Sequence, residues 1–174
     1  EEDAWNLKKP DVRTLPGREA LWMESCKMAD KAGDSFIFPM LQGAWTSATM
    51  VTGVGFMSMA AMQNPEVAHH LLKMMNAFTI DKVQLYADTF GAERVIPFMG
   101  HASETNQIIG PKVFEEFCLP YNLEQYKAFL AMGVKHILCH ICGYHAMNYP
   151  MWAQVPMGDP GIVSVAHDVD ADWT

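Results

Sequence analysis

The residues best suited to chemistry in this sequence lie in the segment 135–143, which reads KHILCHICG. Side chains two residues apart on a β-strand share a face, so His140 and Cys142 are expected side by side, roughly 6–7 Å apart at Cα. An imidazole and a thiol at that separation could share one zinc ion. Gly143 breaks the strand and leaves the pair at its carboxyl end, where α/β folds hold their catalytic groups. The alternate residues form an apolar face suited to helix packing: Ile137, Cys139 and Ile141.

The same two residues have a second interpretation, a buried thiol beside a hydrogen-bonded imidazole. Cysteine is among the most buried residue types, so His-x-Cys alone does not identify a metal site. The strand end and the glycine after it favour the metal site. His145, in the first turn after Gly143, is expected to be exposed or to cap the following helix.

Other residues that follow strands could contact a substrate. His101 and Glu104 lie in a polar segment after an apolar strand, where they could act as an acid and base pair, a substrate contact or a further metal ligand; a solvated loop is the alternative. Trp45 lies in a loop after an earlier strand and could contact a ring-shaped substrate or cofactor, with core packing as the alternative.

Strands and helices alternate along the chain and must position these residues. Strands are expected at 35–41, 94–99, 135–142 and 162–166, the last followed by Asp168, Asp170 and Asp172 in a solvated loop. Helices are expected at 18–32, 46–62, 65–90, 111–132 (bent near Pro120) and 145–154. This order predicts an α/β fold of parallel βαβ units. A (β/α)8 TIM barrel needs roughly 250 residues, so residues 1–174 are expected to be a single partial barrel domain of about half that size, with an irregular N-terminal segment at 1–17.

Composition argues against several classes of protein. Charged residues make up 18% of the chain and the net charge is −8, with no large cluster of Lys and Arg, which argues against nucleic-acid binding. No apolar run is long enough for a transmembrane helix, so no membrane association is expected. Four cysteines without a basic, apolar leader favour a cytoplasmic protein without disulfides.

Four segments in order resemble the uroporphyrinogen decarboxylase superfamily, and most closely its branch of cobalamin-dependent methyltransferases, the methylcobamide:coenzyme M methyltransferase-like proteins. The segments are the QGAWT loop at 42–46 (compare Gly-Pro-Phe/Trp-Thr), the GPKVFEEF…PY helix at 110–121 (compare Ser-Pro-x-x-Phe-x-x-Phe…Pro-Tyr), the HICG strand end at 140–143, and the IVSV strand at 162–165 with acidic residues after it. Where the superfamily usually carries an Asp after the second strand, this chain offers His101, Ser103 and Glu104.

The resemblance implies a zinc site formed by His140, Cys142 and a distant second cysteine beyond Thr174. It implies a zinc-dependent methyltransferase of corrinoid metabolism, which moves a methyl group between a corrinoid protein and a thiol or similar small-molecule acceptor. Methylcobalamin would be carried by that partner protein. Two alternatives remain open: a uroporphyrinogen-type decarboxylase that needs no metal, and a non-catalytic barrel relative that binds a partner.

Overall fold

The computed structural model describes residues 2–33 and 35–165, which form a sheet of parallel strands with helices packed against it. The strands are, in chain order, β1 (Met40–Gln42), β2 (Phe98–His101), β3 (Leu138–Ile141) and β4 (Ile162–Val165). The α-helices are α1 (Glu2–Asn6), α2 (Arg18–Ala32), α3 (Ala44–Thr52), α4 (Val54–Gln63), α5 (Pro65–Phe90), α6 (Pro111–Val113), α7 (Leu119–Ala131) and α8 (Tyr149–Trp152). The expected end of the last strand at Ala166 and the acidic residues Asp168, Asp170 and Asp172 lie outside the described residues.

The sheet follows chain order, β1-β2-β3-β4, and every neighbouring pair of strands is parallel. Each connection between consecutive strands carries at least one helix. Parallel strands in sequence order, joined by helices, are the repeating unit of a (β/α)8 barrel. The expected α/β class is therefore confirmed.

The two faces of the sheet differ sharply in burial. Leu41, Met99 and Cys139 stand in register on one face and are at most 4% exposed, because helices pack over them. We call this the helix-side face; Ile137 and Ile141 share it, as the sequence predicted. The opposite face carries residues that are half-buried or exposed, apart from the buried Gly100, and corresponds to the inside of a barrel. We call it the lumen face, and its members include Met40, Gln42, Phe98, Leu138 and His140.

Several boundaries differ from the sequence-based expectation. The helix expected at 46–62 is two helices, α3 and α4, because Gly53 takes φ +91° between them, a conformation that ends an α-helix. The strand expected at 94–99 is found as β2, which begins only at Phe98 and continues to His101. The bend expected near Pro120 is a π-helical turn over Phe114–Cys118, which accommodates the missing proline N–H. Segment 1–17 holds α1 and a 3-10 turn as well as irregular chain.

The long helix α5 is confirmed at both ends. It begins with Pro65 in its first turn and ends before Gly91, whose φ is +86°. Most of its buried apolar side chains join the main core with those of α3, α4 and α7, whereas Tyr86 and Phe90 belong to a second, smaller cluster. Within the described residues, no helix combines the length and apolarity needed to cross a membrane.

The packing of α7 against the sheet generates a stability prediction. Phe129 is fully buried and lies 6.1 Å from Tyr126 between ring centroids. We expect Phe129→Ala to lower the free energy of unfolding by about 3–5 kcal/mol, because the cavity left behind adds to the lost apolar burial. Urea denaturation measures the change. Lys127→Ala, at an exposed site on the same helix, is the control and should change stability by less than about 0.5 kcal/mol; equal losses for both variants would contradict the prediction.

Candidate metal site and the polar layer behind it

His140 lies on the lumen face near the carboxyl end of β3 and is half-buried. Its Nδ1 is 3.0 Å from the Ser164 hydroxyl on β4, and its ring stacks on Phe98 at 5.6 Å between centroids. These two contacts fix the plane of the imidazole and occupy Nδ1. Nε2 is therefore the ring nitrogen suited to hold a metal, and a hydrogen bond at the other nitrogen is the usual arrangement for a metal-binding histidine.

Cys142 lies one residue past the end of β3 and is half-buried, whereas the other three cysteines are buried. Burial raises the pKa of the Cys142 thiol, so in the absence of a cation the neutral form is favoured. The chain turns immediately afterwards at Gly143, where φ is +77°. A Cβ there would lie 2.9 Å from Thr105 Oγ1, so the close approach to the loop after β2 requires glycine.

The donor chemistry of His140 and Cys142 fits zinc. One imidazole nitrogen and one thiolate sulfur belong to the ligand set that zinc prefers. Among residues 2–33 and 35–165, no group of three or more His, Cys, Asp or Glu side chains could hold a metal ion. A metal held by His140 and Cys142 would therefore need any third protein ligand from outside the described residues.

His101 and Glu104 lie on the other side of the sheet. Because β2 continues to His101, this side chain points to the helix-side face, and both residues are fully buried. His101 Nδ1 is 3.0 Å from Glu104 Oε2, and His101 Nε2 is 2.9 Å from the Tyr126 hydroxyl. Asn122 Nδ2 donates to the same Glu104 oxygen at 3.0 Å. The expected open loop is thus a sealed polar cluster, and this location does not favour the predicted catalytic role of the pair.

The two buried groups stabilise each other's charged form. Burial by itself would lower the pKa of His101, but the Glu104 carboxylate and a hydrogen bond with Cys139 raise it to about 10. Burial likewise opposes ionisation of Glu104, yet His101 and Asn122 hold the pKa of that carboxyl below its usual value. The geometry therefore favours an imidazolium and carboxylate pair behind the sheet.

Trp45 lies in the first turn of α3 and not in a loop. Its side chain is fully buried, with its ring 6.2 Å from that of Phe117. Within the described part of the chain, the indole Nε1 has no hydrogen-bond partner. This location favours the core-packing alternative over the predicted contact with a cofactor, which remains a prediction.

His145 is the residue whose environment the sequence analysis misjudged. It is fully buried, and its Nε2 is 2.9 Å from the backbone carbonyl oxygen of Cys142. The indole Nε1 of Trp152 donates to His145 Nδ1 at 3.2 Å. Burial lowers the pKa of His145, so the neutral imidazole is favoured. The expected exposed position is wrong, because α8 begins only at Tyr149 and the preceding turn folds His145 inward.

Hydrogen bonds join the loop after β2 to the loop after β3. Thr105 Oγ1 donates to the Tyr144 carbonyl at 2.8 Å, and Asn148 Nδ2 donates to the Glu104 carbonyl at 3.1 Å. Asn106 Nδ2 donates in turn to Asn148 Oδ1 at 2.8 Å. No pattern in the sequence predicts this network, because the two loops meet only where their strands become neighbours in the sheet.

Comparisons with protein families and with solved structures show what this chain is similar to. The sequence model of one family, described as uroporphyrinogen decarboxylase (URO-D), matches residues 1–174. A search of curated proteins gives no match. Among solved structures, a methyltransferase from Methanosarcina mazei is similar with a TM-score of 0.73 and 14% sequence identity. The match covers 85% of this chain and 42% of that one, so the chain spans less than half the length of its structural neighbour.

The buried pair generates a pH prediction. We expect the free energy of unfolding to fall as the pH rises from about 6.5 toward 10, because folded His101 keeps a proton that the unfolded imidazole loses. It should also fall below about pH 4.5, where Glu104 becomes protonated more readily in the unfolded chain. Urea unfolding at stepped pH values measures both changes.

The matched variants for this pH prediction are Glu104→Gln and Glu115→Gln. Glu104→Gln removes the charge that keeps His101 protonated, so the decline above pH 6.5 should flatten relative to wild type. Glu115 is exposed, and its substitution should leave the profile unchanged. A Glu104→Gln profile parallel to that of wild type would refute the proposed coupling.

Gly43 generates a second prediction, because it abuts the same pair. A Cβ at this position would overlap both the Glu104 carboxylate and the His101 ring. We expect Gly43→Ala to destabilise the protein by about 1–3 kcal/mol through overpacking. Gly55→Ala is the control, since a Cβ there meets open space inside α4 and should stabilise by up to about 1 kcal/mol. Thermal and urea unfolding measure the stability of both variants. No loss of stability in Gly43→Ala would show that His101 and Glu104 can move to make room for the Cβ.

Proposed function

Because the chain belongs to the uroporphyrinogen decarboxylase family, we propose that it forms part of a zinc-dependent methyltransferase of corrinoid metabolism. The reaction would transfer a methyl group between a corrinoid carried by a partner protein and a thiol or similar small-molecule acceptor. The observation that carries this proposal is the place of His140 on the lumen face near the carboxyl end of β3, with the half-buried Cys142 two residues later along the chain. Similarity of fold to the Methanosarcina mazei methyltransferase is consistent with it.

The environment of each residue supports a metal-binding role. Ser164 and Phe98 orient the His140 ring so that Nε2 is the nitrogen suited to bind. Cys142 is half-buried whereas the other three cysteines are buried, and Gly143 after it turns the chain away from the strand. Zinc bound there would lower the pKa of a thiol acceptor and hold it as the nucleophilic thiolate.

The rest of the site would position the acceptor and exclude water. The lumen face beside His140 is formed by Phe98 and Leu138, both half-buried, which offer an apolar wall to an acceptor. The carboxyl edge of the sheet is where a barrel enzyme receives its substrate. A corrinoid protein would therefore present its methyl group at that edge, and the corrinoid itself supplies the chemistry that makes the methyl transferable.

Metal analysis of the full-length protein tests the proposal. We expect bound zinc in the wild-type protein and a loss of zinc affinity of at least about 100-fold in Cys142→Ser, because a soft sulfur ligand is removed. Methyl transfer from a methylated corrinoid to a thiol should fall in parallel. Competition with a chromophoric chelator measures the affinity.

The control variant is Cys26→Ala. Cys26 is buried in a separate cluster with Tyr86 and Phe90 and should not affect zinc. Wild-type protein that binds no zinc would eliminate the proposed function and leave the decarboxylase or non-catalytic alternatives. Full zinc affinity in Cys142→Ser would eliminate Cys142 as a ligand.

A further inference from the structure

We propose that His145 is a positioning residue that holds the backbone of Cys142, and that Trp152 fixes the imidazole tautomer needed for this task. The inference rests on the proposed function, in which Cys142 binds the metal. His145 would touch neither metal nor substrate. It would act by keeping the Cys142 sulfur where a metal on the lumen side needs it.

The tautomer of His145 follows from its contacts with Trp152 and Cys142. An indole N–H only donates, so His145 Nδ1, which lies 3.2 Å from Trp152 Nε1, must be an acceptor without a proton. The proton of the neutral ring is then on Nε2, 2.9 Å from the Cys142 carbonyl oxygen. Nε2–H therefore donates to Cys142, and the alternative tautomer would break both hydrogen bonds.

Trp152 is buried and packed against two rings, so the series of hydrogen bonds that leads to Cys142 starts from a fixed side chain. Its side chain is 3% exposed and packs against Phe114 at 5.2 Å and against the edge of His101 at 4.6 Å between ring centroids. His145 is fully buried in the same layer. The chain of hydrogen bonds thus runs from the core through Trp152 and His145 to the Cys142 carbonyl.

A fixed carbonyl matters at this position because a cysteine side chain has only one rotatable bond before the sulfur. Once the Cys142 backbone is fixed, Sγ can occupy only the few positions that its χ1 rotamers allow. Metal and catalytic sites tolerate displacements of only about 0.5 Å. β3 ends at Ile141, one residue before Cys142. The hydrogen bond from His145 to the Cys142 carbonyl therefore anchors the chain just after the strand.

The anchor also couples Cys142 to the neighbouring loop. Asn148 Nδ2 lies 3.4 Å from His145 Nδ1 and 3.1 Å from the Glu104 carbonyl oxygen, to which it donates. Gly143 packs against Thr105 in the same loop. Movement of His145 would therefore loosen the turn that carries the thiol as well as the thiol itself.

The test compares His145→Phe with His145→Gln in the full-length protein. Phenylalanine fills a similar volume but has no donor, whereas the glutamine amide nitrogen is as many bonds from Cβ as His145 Nε2 and can donate to the Cys142 carbonyl. We expect zinc affinity to fall about tenfold in His145→Phe, the lower end of the range for outer-shell contacts. His145→Gln should stay within about threefold of wild type, because the donor is kept.

A second readout needs no metal. In zinc-free protein, iodoacetamide should modify Cys142 selectively, because Cys26, Cys118 and Cys139 are buried. Local release of the turn in His145→Phe should raise the alkylation rate several-fold, with His145→Gln close to wild type. Phe129→Leu, a core change on α7, controls for general loss of stability. If His145→Phe does not fold, Trp152→Phe removes the donor that fixes the tautomer and should shift both readouts in the same direction.

The outcomes separate this inference from the proposed function. Wild-type zinc affinity and alkylation rate in His145→Phe, or in Trp152→Phe if His145→Phe does not fold, would overturn it. Equal effects of that variant and Phe129→Leu would also overturn it, since the role would then be merely structural. Protein without zinc affinity whose alkylation still depends on the His145 donor would eliminate the zinc enzyme while the positioning role stands.

Discussion

The register between β2 and β3 is the constraint on which the candidate site depends. Gly100 stands opposite His140, and His101 stands opposite Ile141. Because neighbouring residues on a strand point to opposite faces, this pairing sends His140 to the lumen face and His101 to the helix-side face. A shift of one residue in β3 would exchange the imidazole for Cys139 or Ile141 and remove the nitrogen donor from the lumen.

Behind the sheet lies a polar layer that a typical apolar core would not contain. Two histidines, a glutamate and an asparagine are fully buried there, each with a hydrogen-bond partner: His101, His145, Glu104 and Asn122. Burying such groups is costly, and their partners recover part of the cost. In the proposed site, this layer would act on Cys142 through its backbone carbonyl, to which His145 Nε2 donates. The role we propose for it is to position that backbone.

The chain belongs to the uroporphyrinogen decarboxylase family and spans 42% of the length of its structural neighbour. The described strands form about half of a barrel, so the lumen face is open here. Phe98, Met40 and Leu138 on that face are half-buried or exposed, whereas the helix-side face of β1, β2 and β3 is covered by a core. The contacts through which Trp152 and His145 are proposed to position Cys142 lie within the described residues.

The sequence by itself determined features that depend on neighbours along the chain. Two-residue alternation in β3 separated His140 from Cys139, and Pro65 with Gly91 marked both ends of α5. These signals are local, because strand pleat and helix capping involve residues only a few positions apart. The order of strands and helices then predicted a parallel α/β fold, which the structure and its neighbour confirm.

Only the tertiary structure decided the environments of His101, Trp45 and His145. The extension of β2 to His101 depends on its pairing with β3, 40 positions along the chain. Two strand residues beyond the expected end turned an expected open loop into a buried position. His145 is inward because Trp152 and the Cys142 carbonyl satisfy its two nitrogens. The packing of the turn between β3 and α8 brings these partners together, and no periodic pattern in the sequence predicts them.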